Sequence, residues 1–362
     1  SGAAQAGYAG YRSTQLQQLE GSLNEPGPAG ISTALQTFWS SWQGVSNHPG
    51  EAAPAGVLLQ AGTTVANAVS AGYKALDSQW TRIRGEAQST VATLNDAAAQ
   101  VAGFNATIRS VTASGGSANE IIDARNKVTE TIASLADGTV RDNADGTVDV
   151  FVGGNAIVSG TSHRELALSG QTSMGALGSA VQSGGPVQLE WADRPGVAVP
   201  LDGGKLAGAV SLLAPAAGGA GGAISEAAAS YNAFATKLMN DVNAVHRTGQ
   251  STTGASNLDF FATTPGAPAA CPSALSRRAP RESPPALQVP VPLTAKSRTQ
   301  SPKSAPGRVP LTRCGPESSQ GSARRHSRHS STSSSPTRRA LPPSGSVPPV
   351  RPSASTRRTS AS

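Results

Sequence analysis

One short group of residues in this chain has the types that phosphate binding uses. Asp202-Gly203-Gly204-Lys205 places two glycines beside a lysine, and such a turn can cradle a phosphate with its backbone amides. That chemistry also needs a serine or threonine after the lysine and a glycine five residues before Gly204. Those positions hold Leu206 and Val199, so the sequence predicts an ordinary turn here.

Histidines near acidic or thiol groups are the second candidate chemistry. Asp241 and His246 are separated by one helical turn plus one residue, and no Gly-x-Ser-x-Gly motif supplies a nucleophile. We therefore expect His246 to lie at the surface or at a helix end. His326 and His329, with Cys314 upstream, are metal-ligand types without a defined geometry.

The acidic residues between 137 and 149 lack the twelve-residue pattern of a calcium loop, and Asp145-Gly146 suits a turn better. The sequence thus predicts no catalytic residue, no metal site, no cofactor and no small-molecule substrate. We predict that the protein is not an enzyme.

The net charge of +7 combines two opposed segments. Residues 1–270 contain 13 basic and 20 acidic residues, a charge of −7, whereas residues 271–362 contain 16 basic and 2 acidic residues, a charge of +14. The second segment also contains 16 prolines, 21 serines and no aromatic residue. This composition is typical of a disordered basic tail. The alternative, which we favour, is GC-rich coding sequence read out of frame.

The cysteines and the start of the chain bear on its compartment. Cys271 and Cys314 both lie in the basic segment, so no disulfide or cysteine metal site can stabilise the rest. No stretch approaches the roughly 18 apolar residues of a membrane span, and residues after Ser1 do not have a signal-peptide pattern. Because the chain starts without methionine, we interpret it as a fragment or as the product of a misplaced start.

Helical patterns dominate the first 114 residues. The first helix, residues 1–24, has candidate buried positions at Tyr8, Tyr11, Leu16, Leu19 and Leu23. The second, residues 32–45, has an apolar face of Leu35, Phe38, Trp39 and Trp42. The third, residues 54–114, places apolar residues in 13 steps over the 46 residues from Val65 to Val111, a period close to that of a coiled-coil seam.

A helix, a turn and a hairpin follow between Ser117 and Gly154. Ser117 and Glu120 have the spacing of a capping box, and Gly138 is placed to end the helix in a left-handed conformation. Residues 143–146 predict a turn before an alternating strand, whose valines share one side: Val148, Val150 and Val152.

The remaining body contains short strands and a returning helix. Strand candidates occupy residues 156–158, 187–191 and 197–199, and a short helix is predicted over 206–213. Residues 223–247 then repeat apolar positions in steps of four and three: Ile224, Ala228, Tyr231, Ala235, Leu238, Val242 and Val245. The two long helices predict an antiparallel rod with a β-rich insertion, whose apolar stripe needs a partner.

Several motifs in a fixed order resemble the flagellar hook-associated protein 1 (FlgK) family. The motifs are Asn119-Glu120-x-x-Asp123-x-Arg125-Asn126, the hairpin sequence 145–154, Phe38-Trp39 with Asn47-His48-Pro49, the segment 202–208, and Val242–His246 followed by Asp259-Phe260-Phe261. Together they cover roughly residues 8–262. Relative to the family, we expect an N-terminal segment to be missing and the C-terminal segment to differ, which places export and assembly in doubt.

The resemblance, with the helical patterns, implies a mainly α fold: a long antiparallel, coiled-coil-like rod with a small β region. We divide the chain into residues 1–136 (outgoing helices), 137–204 (β-rich), 205–262 (returning helix) and 263–362 (disordered basic tail). The predicted packing seam of the rod consists of seven residues, with Leu76, Trp80, Ile83 and Leu94 facing Tyr231, Leu238 and Val242.

By resemblance, the protein is a secreted, extracellular structural component of the bacterial flagellum at the hook–filament junction. Its implied partners are further copies in a ring or helical polymer, the hook protein and the next hook-associated protein, without a membrane partner. Two alternatives stay open: a secreted coiled-coil surface protein such as an adhesin, and non-specific nucleic-acid binding through the basic tail. The charge of +14 would attract phosphate at low salt, but the tail contains no Phe, Tyr or Trp to stack on bases, which argues against sequence-specific reading.

Overall fold

A computed structural model describes residues 2–23, 27–174, 185–251, 253–262 and 268–270, and the backbone of 285–286. These residues all belong to one compact unit, Ser1–Pro316. The second unit, Glu317–Ser362, lies outside the described residues, as does most of the basic tail. The predictions made for that tail, including its metal-ligand types and nucleic-acid binding, therefore fall outside the described part of the chain.

Four helices occupy the first 136 residues, as the apolar periodicity predicts. They are α1 Gly2–Leu23, α2 Ile31–Asn47, α3 Ala52–Ala113 and α4 Asn119–Ala136. The 62-residue α3 is about 93 Å long at 1.5 Å per residue, and the other elements pack along it. Its buried face includes the predicted positions from Val65 to Ile108 except Phe104, which is half-buried.

Both ends of α4 differ from the predicted caps. Ala118 rather than Ser117 precedes the first turn, and its side chain makes no capping bond, so the capping box is wrong. Asp137 rather than Gly138 takes the left-handed conformation at the other end, with φ 53° and ψ 45°. Gly138 instead passes close to Ile132, where a Cβ atom would lie 2.6 Å from the isoleucine side chain.

Two small antiparallel sheets form the β-rich insertion. The first has the order β1-β2-β3-β4, and the second the order β5-β6-β7. Their strands are β1 Thr139–Asp142, β2 Val148–Val152, β3 Asn155–Ser159, β4 Ser162–His163, β5 Leu166–Ser169, β6 Gln188–Trp191 and β7 Arg194–Ala198. The hairpin of β1 and β2 is confirmed: Gly146 has φ +79° in the turn, and all three alternating valines of β2 are buried.

After the sheets, α5 Gly204–Leu213 and α6 Ala223–His246 return along the first helices. A short strand, β8 Gln250–Ser251, pairs with β9 Pro285–Ala286. Tyr231 packs on Gly72, while Phe260, beyond the end of α6, packs on Gly62, so α6 runs antiparallel to α3. The mainly α fold with a β-rich insertion is confirmed. None of the described helices combines the length and the apolar composition that a membrane span requires.

Candidate functional site

The Gly203–Lys205 turn opens helix α5 and packs against the end of α4. Gly204 has φ +81°, and a Cβ atom there would lie 2.6 Å from the backbone of Leu135 and Ala136. Lys205 lies over the ring of Tyr11, with its Nζ 5.4 Å from the ring centroid. The turn therefore joins α1, α4 and α5 by close packing, and its lysine is used in that junction.

The acidic and histidine candidates are also used in local structure. Asp241 is exposed and pairs with Lys237 at 2.9 Å. His246 lies at the end of α6, as expected, but it is buried rather than at the surface. Its Nδ1 donates to the carbonyl of Leu258 at 2.7 Å. Among the described residues, no group of three or more His, Cys, Asp and Glu side chains is arranged to hold a metal ion.

The seven predicted seam residues lie on α3 and α6, which contact each other. The four α3 residues are fully buried, Leu238 and Val242 are buried, and Tyr231 is half-buried. Tyr231 packs on Gly72, one turn before Leu76, so this glycine makes room for the ring. Gly72 and Tyr231 are thus in direct contact between α3 and α6.

The far end of the predicted seam is too distant from α6. Eight residues precede Tyr231 in α6, about 12 Å of helix, whereas Leu94 lies 22 residues beyond Gly72, about 33 Å. The neighbouring Asn95 exchanges two hydrogen bonds of 2.9 Å with the backbone of Leu166 in β5. Leu94 therefore lies beside the sheet, and the seam as a whole stays a prediction.

An aromatic cluster closes the end of the α3–α6 pair. Phe38, Trp42, His246, Phe260 and Phe261 have neighbouring ring centroids 4.8–6.4 Å apart. The buried Asn243 fixes the two phenylalanines, because its amide accepts from both backbone N–H groups at 2.9 Å and donates to Phe261 O at 2.7 Å. The segment after α6 is thereby held against α2.

Two residues assigned to apolar faces by periodicity are exposed. Trp39 is 48% exposed and rests on Phe38, with ring centroids 4.9 Å apart. Val245 is 58% exposed, and its place in the interior is taken by His246. Helical spacing predicts the direction of a side chain but not how far the neighbouring elements extend over it.

Polar side chains connect α1 to the middle of α3. The buried Gln79 donates to the side chain of Gln15, itself buried, at 2.7 Å. The Tyr11 hydroxyl donates to Glu86 at 2.7 Å, and Arg82 pairs with Glu86 at 2.9 Å. Burial and the bond to Glu86 raise the pKa of the Tyr11 hydroxyl, so it stays a neutral donor. These bonds fix the register of α1 on α3.

A buried polar network attaches the first sheet to α3 and α4. Asn105 is fully buried and donates to the carbonyls of Val148 and Gly160, both at 2.7 Å, while its Oδ1 accepts from Val148 N at 3.1 Å. Arg125 of α4 donates to Asn105 at 3.3 Å and to Gly146 O at 2.9 Å. Sequence reasoning missed both residues, because a polar residue at a helical position ordinarily indicates an exposed face.

Asp149 completes this network on the sheet side. Its carboxylate accepts from Arg141 at 2.7 Å, from Gly160 N at 2.8 Å and from Asn143 at 3.0 Å. These bonds, led by the one from Arg141, hold the pKa of the Asp149 carboxyl below its ordinary value. The charged form is therefore the one that stabilises the hairpin.

This arrangement predicts a pH-dependent stability. A carboxyl whose pKa is lowered on folding stabilises the protein fully above its unfolded pKa of about 3.9, and the contribution is lost as pH falls through the folded value. We expect Asp149→Asn to lower the melting temperature at pH 7. The difference in melting temperature between this variant and the unmodified chain should become smaller below about pH 4. Thermal scans at both pH values measure this difference, and a difference that does not change with pH would contradict the assignment.

Comparisons with known proteins agree with the helical architecture. A family model described as the flagellar hook-associated protein FlgK helical domain matches residues 16–261. The chain is 25% identical over 280 residues to flagellar hook-associated protein 1 of Bacillus subtilis (strain 168), an alignment covering 72% of this chain and 54% of that protein.

A solved structure, that of the flagellar hook junction protein FlgK from Burkholderia pseudomallei, matches with a TM-score of 0.58 at 23% identity. The match covers 72% of this chain and 46% of that chain, and it supports the fold alone. The chain thus spans about half the length of the relatives it matches. Because the family model covers well over half of the 362 residues, the chain belongs to the flagellar hook-associated protein FlgK family.

Proposed function

We propose that this chain is a structural component of the bacterial flagellum that acts at the hook–filament junction by subunit packing and without catalysis. The observation that carries the proposal is the match of residues 16–261 to the family's helical domain, over the part of the chain built around α3 and α6. The candidate chemical groups in the described body are used in turns, ion pairs and packing.

In the proposed mechanism, the helices form a stiff unit that packs against the same unit of neighbouring subunits. Its α3–α6 seam includes the contact of Gly72 with Tyr231, with Leu76, Leu238 and Val242 as the buried flanks. The proposed partners are further copies in a ring or helical polymer, the hook protein and the next hook-associated protein. The proposed location is outside the cell, on the flagellum.

We also retain the proposed division of the chain. α4 ends at Ala136 and α5 begins at Gly204, which supports a β-rich region over residues 137–204 between the outgoing helices, 1–136, and the returning segment, 205–262. The polar networks of Asn105 and Asn95 attach this region to α3 at two points. Attachment at two points would keep the insertion at a fixed position on the helical unit.

Immunogold labelling of flagella tests the proposal. Antibodies raised against residues 27–262 are expected to label one position on each flagellum, between hook and filament. Antibody adsorbed beforehand with the purified chain is the control. Label spread over the cell surface would favour the adhesin alternative, and label confined to the cell interior would contradict a flagellar location.

A further inference from the structure

The α2–α3 hairpin carries almost no charge. Between residues 27 and 73, here called the neutral hairpin, Glu51 is the only Asp, Glu, Lys or Arg, whereas residues 74–130 contain twelve. Glu51 lies in the loop between the helices, where it approaches His48 at 3.4 Å. Charged residues are depleted at the centres of protein interfaces, because removing them from water costs free energy.

Four exposed hydroxyl groups of the neutral hairpin are already hydrogen-bonded within their own helices. Thr37 donates to Thr33 O at 3.1 Å and Ser40 donates to Thr37 O at 3.0 Å, both within α2. On α3, Thr63 and Thr64 donate in the same way to carbonyls one turn earlier, at 2.9 and 3.0 Å. These side chains lose few hydrogen bonds to water when a partner covers them, which lowers the cost of docking.

Trp39 supplies an exposed anchor on this face. Its ring is 48% exposed on the solvent side of α2 and is supported from below by the fully buried Phe38. Tryptophan is among the residues that contribute most to binding free energy at interfaces, and a ring held in place loses little entropy on docking. The neutral hairpin thus has the composition and the anchor of a docking surface.

We propose that the neutral hairpin is the surface on which a second copy of this chain docks, with Trp39 as the anchoring side chain. The proposal rests on the proposed function and names the face that it uses. A neutral face does not select an acidic or basic partner, but it is compatible with an identical neutral face.

The available area supports a weak contact between copies. The 17 residues of α2 extend about 25 Å, and two neighbouring helices about 10 Å wide present roughly 500 Å² per copy. Two copies would then bury roughly 1,000 Å², the lower end for a specific interface. A contact of this size is reversible by itself and becomes stable when it is repeated in a polymer.

A matched pair of charge substitutions tests this face in the full chain. Thr37 on α2 and Thr93 in the charged half of α3 are both exposed, and each donates to a carbonyl one turn earlier at 3.1 Å. We expect the unmodified chain to self-associate in sedimentation velocity between about 1 μM and 1 mM. Thr37→Arg and Trp39→Ala should weaken this association about tenfold or more, whereas Thr93→Arg should leave it unchanged.

Each contrary outcome overturns the proposal in its own way. Equal effects of Thr37→Arg and Thr93→Arg, with circular dichroism and melting temperature preserved, would place the contact elsewhere and leave the flagellar function standing. Absence of association up to about 1 mM would show that no second copy docks here. If the unmodified chain sediments with phosphatidylglycerol vesicles and Trp39→Ala does not, while self-association is unchanged, the partner of this face is a lipid surface instead. The proposed flagellar function is tested separately, because immunogold label away from the flagellum would contradict that function whatever the sedimentation result.

Discussion

Leu238→Asp is expected to disrupt the packing of α6 on α3. Leu238 is buried on α6, two turns beyond Tyr231, where the predicted seam places it against α3, and a carboxylate there would be removed from water without a partner. We expect a loss of about 4 kcal/mol or more in the free energy of unfolding, which corresponds to a drop of roughly 10 °C in melting temperature. Far-UV circular dichroism during thermal scans measures both the helicity and the transition.

Thr236→Asp is the matched control for this substitution. Thr236 is exposed on the same helix, two residues away, so the change adds the same charge at a solvated position. Thr and Asp have similar helix propensities, and the cost of replacing Leu by Asp in this respect is only a few tenths of a kcal/mol, well below the expected effect of burial. We expect the melting temperature of Thr236→Asp to stay within about 2 °C of the unmodified chain. If Leu238→Asp retains the helicity and melting temperature of this control, the seam assignment is wrong.

Asn105→Leu is expected to release the first sheet from α3. The substitution keeps the volume similar but leaves the N–H and C=O of Val148 and the C=O of Gly160 without their buried partner. Each such group costs about 1–3 kcal/mol, so the expected loss for the three groups is about 3–9 kcal/mol. Amide hydrogen exchange should show faster exchange in the β1–β2 hairpin than in α6, because the damage is local to the sheet.

Asn126→Leu provides the control for this exchange experiment. Asn126 is exposed on α4, one residue from Arg125, and the same replacement there leaves the network intact. We expect hairpin protection in this variant to match that of the unmodified chain. If the hairpin amides of Asn105→Leu are as well protected from exchange as those of the unmodified chain, the amide network does not hold the sheet.

Apolar periodicity was sufficient to locate the helices and the hairpin. The predicted helix over residues 54–114 corresponds to α3 Ala52–Ala113, and the predicted returning helix over 223–247 corresponds to α6 Ala223–His246. These elements are determined locally, since the spacing of apolar residues along one segment already specifies its period and its buried face. The turn before β2 is local for the same reason, because its glycine and aspartate act within four residues.

Caps and strand pairs were predicted less well than helices. α4 is capped at neither Ser117 nor Gly138, because the chain enters and leaves this helix under the constraint of neighbouring packing. The short strands β4 and β5 were not predicted, since two to four residues carry too little alternation to indicate a strand. β5 is held by Asn95, 71 residues earlier in the chain, which no local pattern reveals.

The sequence by itself determined the element types, the long α3 and α6 helices, the antiparallel return and the family to which the chain belongs. Only the tertiary structure decided which side chains are covered and by what. Gln15, Gln79, Asn105 and Arg125 are buried because distant segments supply their hydrogen-bond partners, whereas Trp39 stays half exposed because the described elements do not extend over it. Burial depends on contacts between segments far apart in the chain, and a pattern within one segment specifies only the direction in which each side chain points.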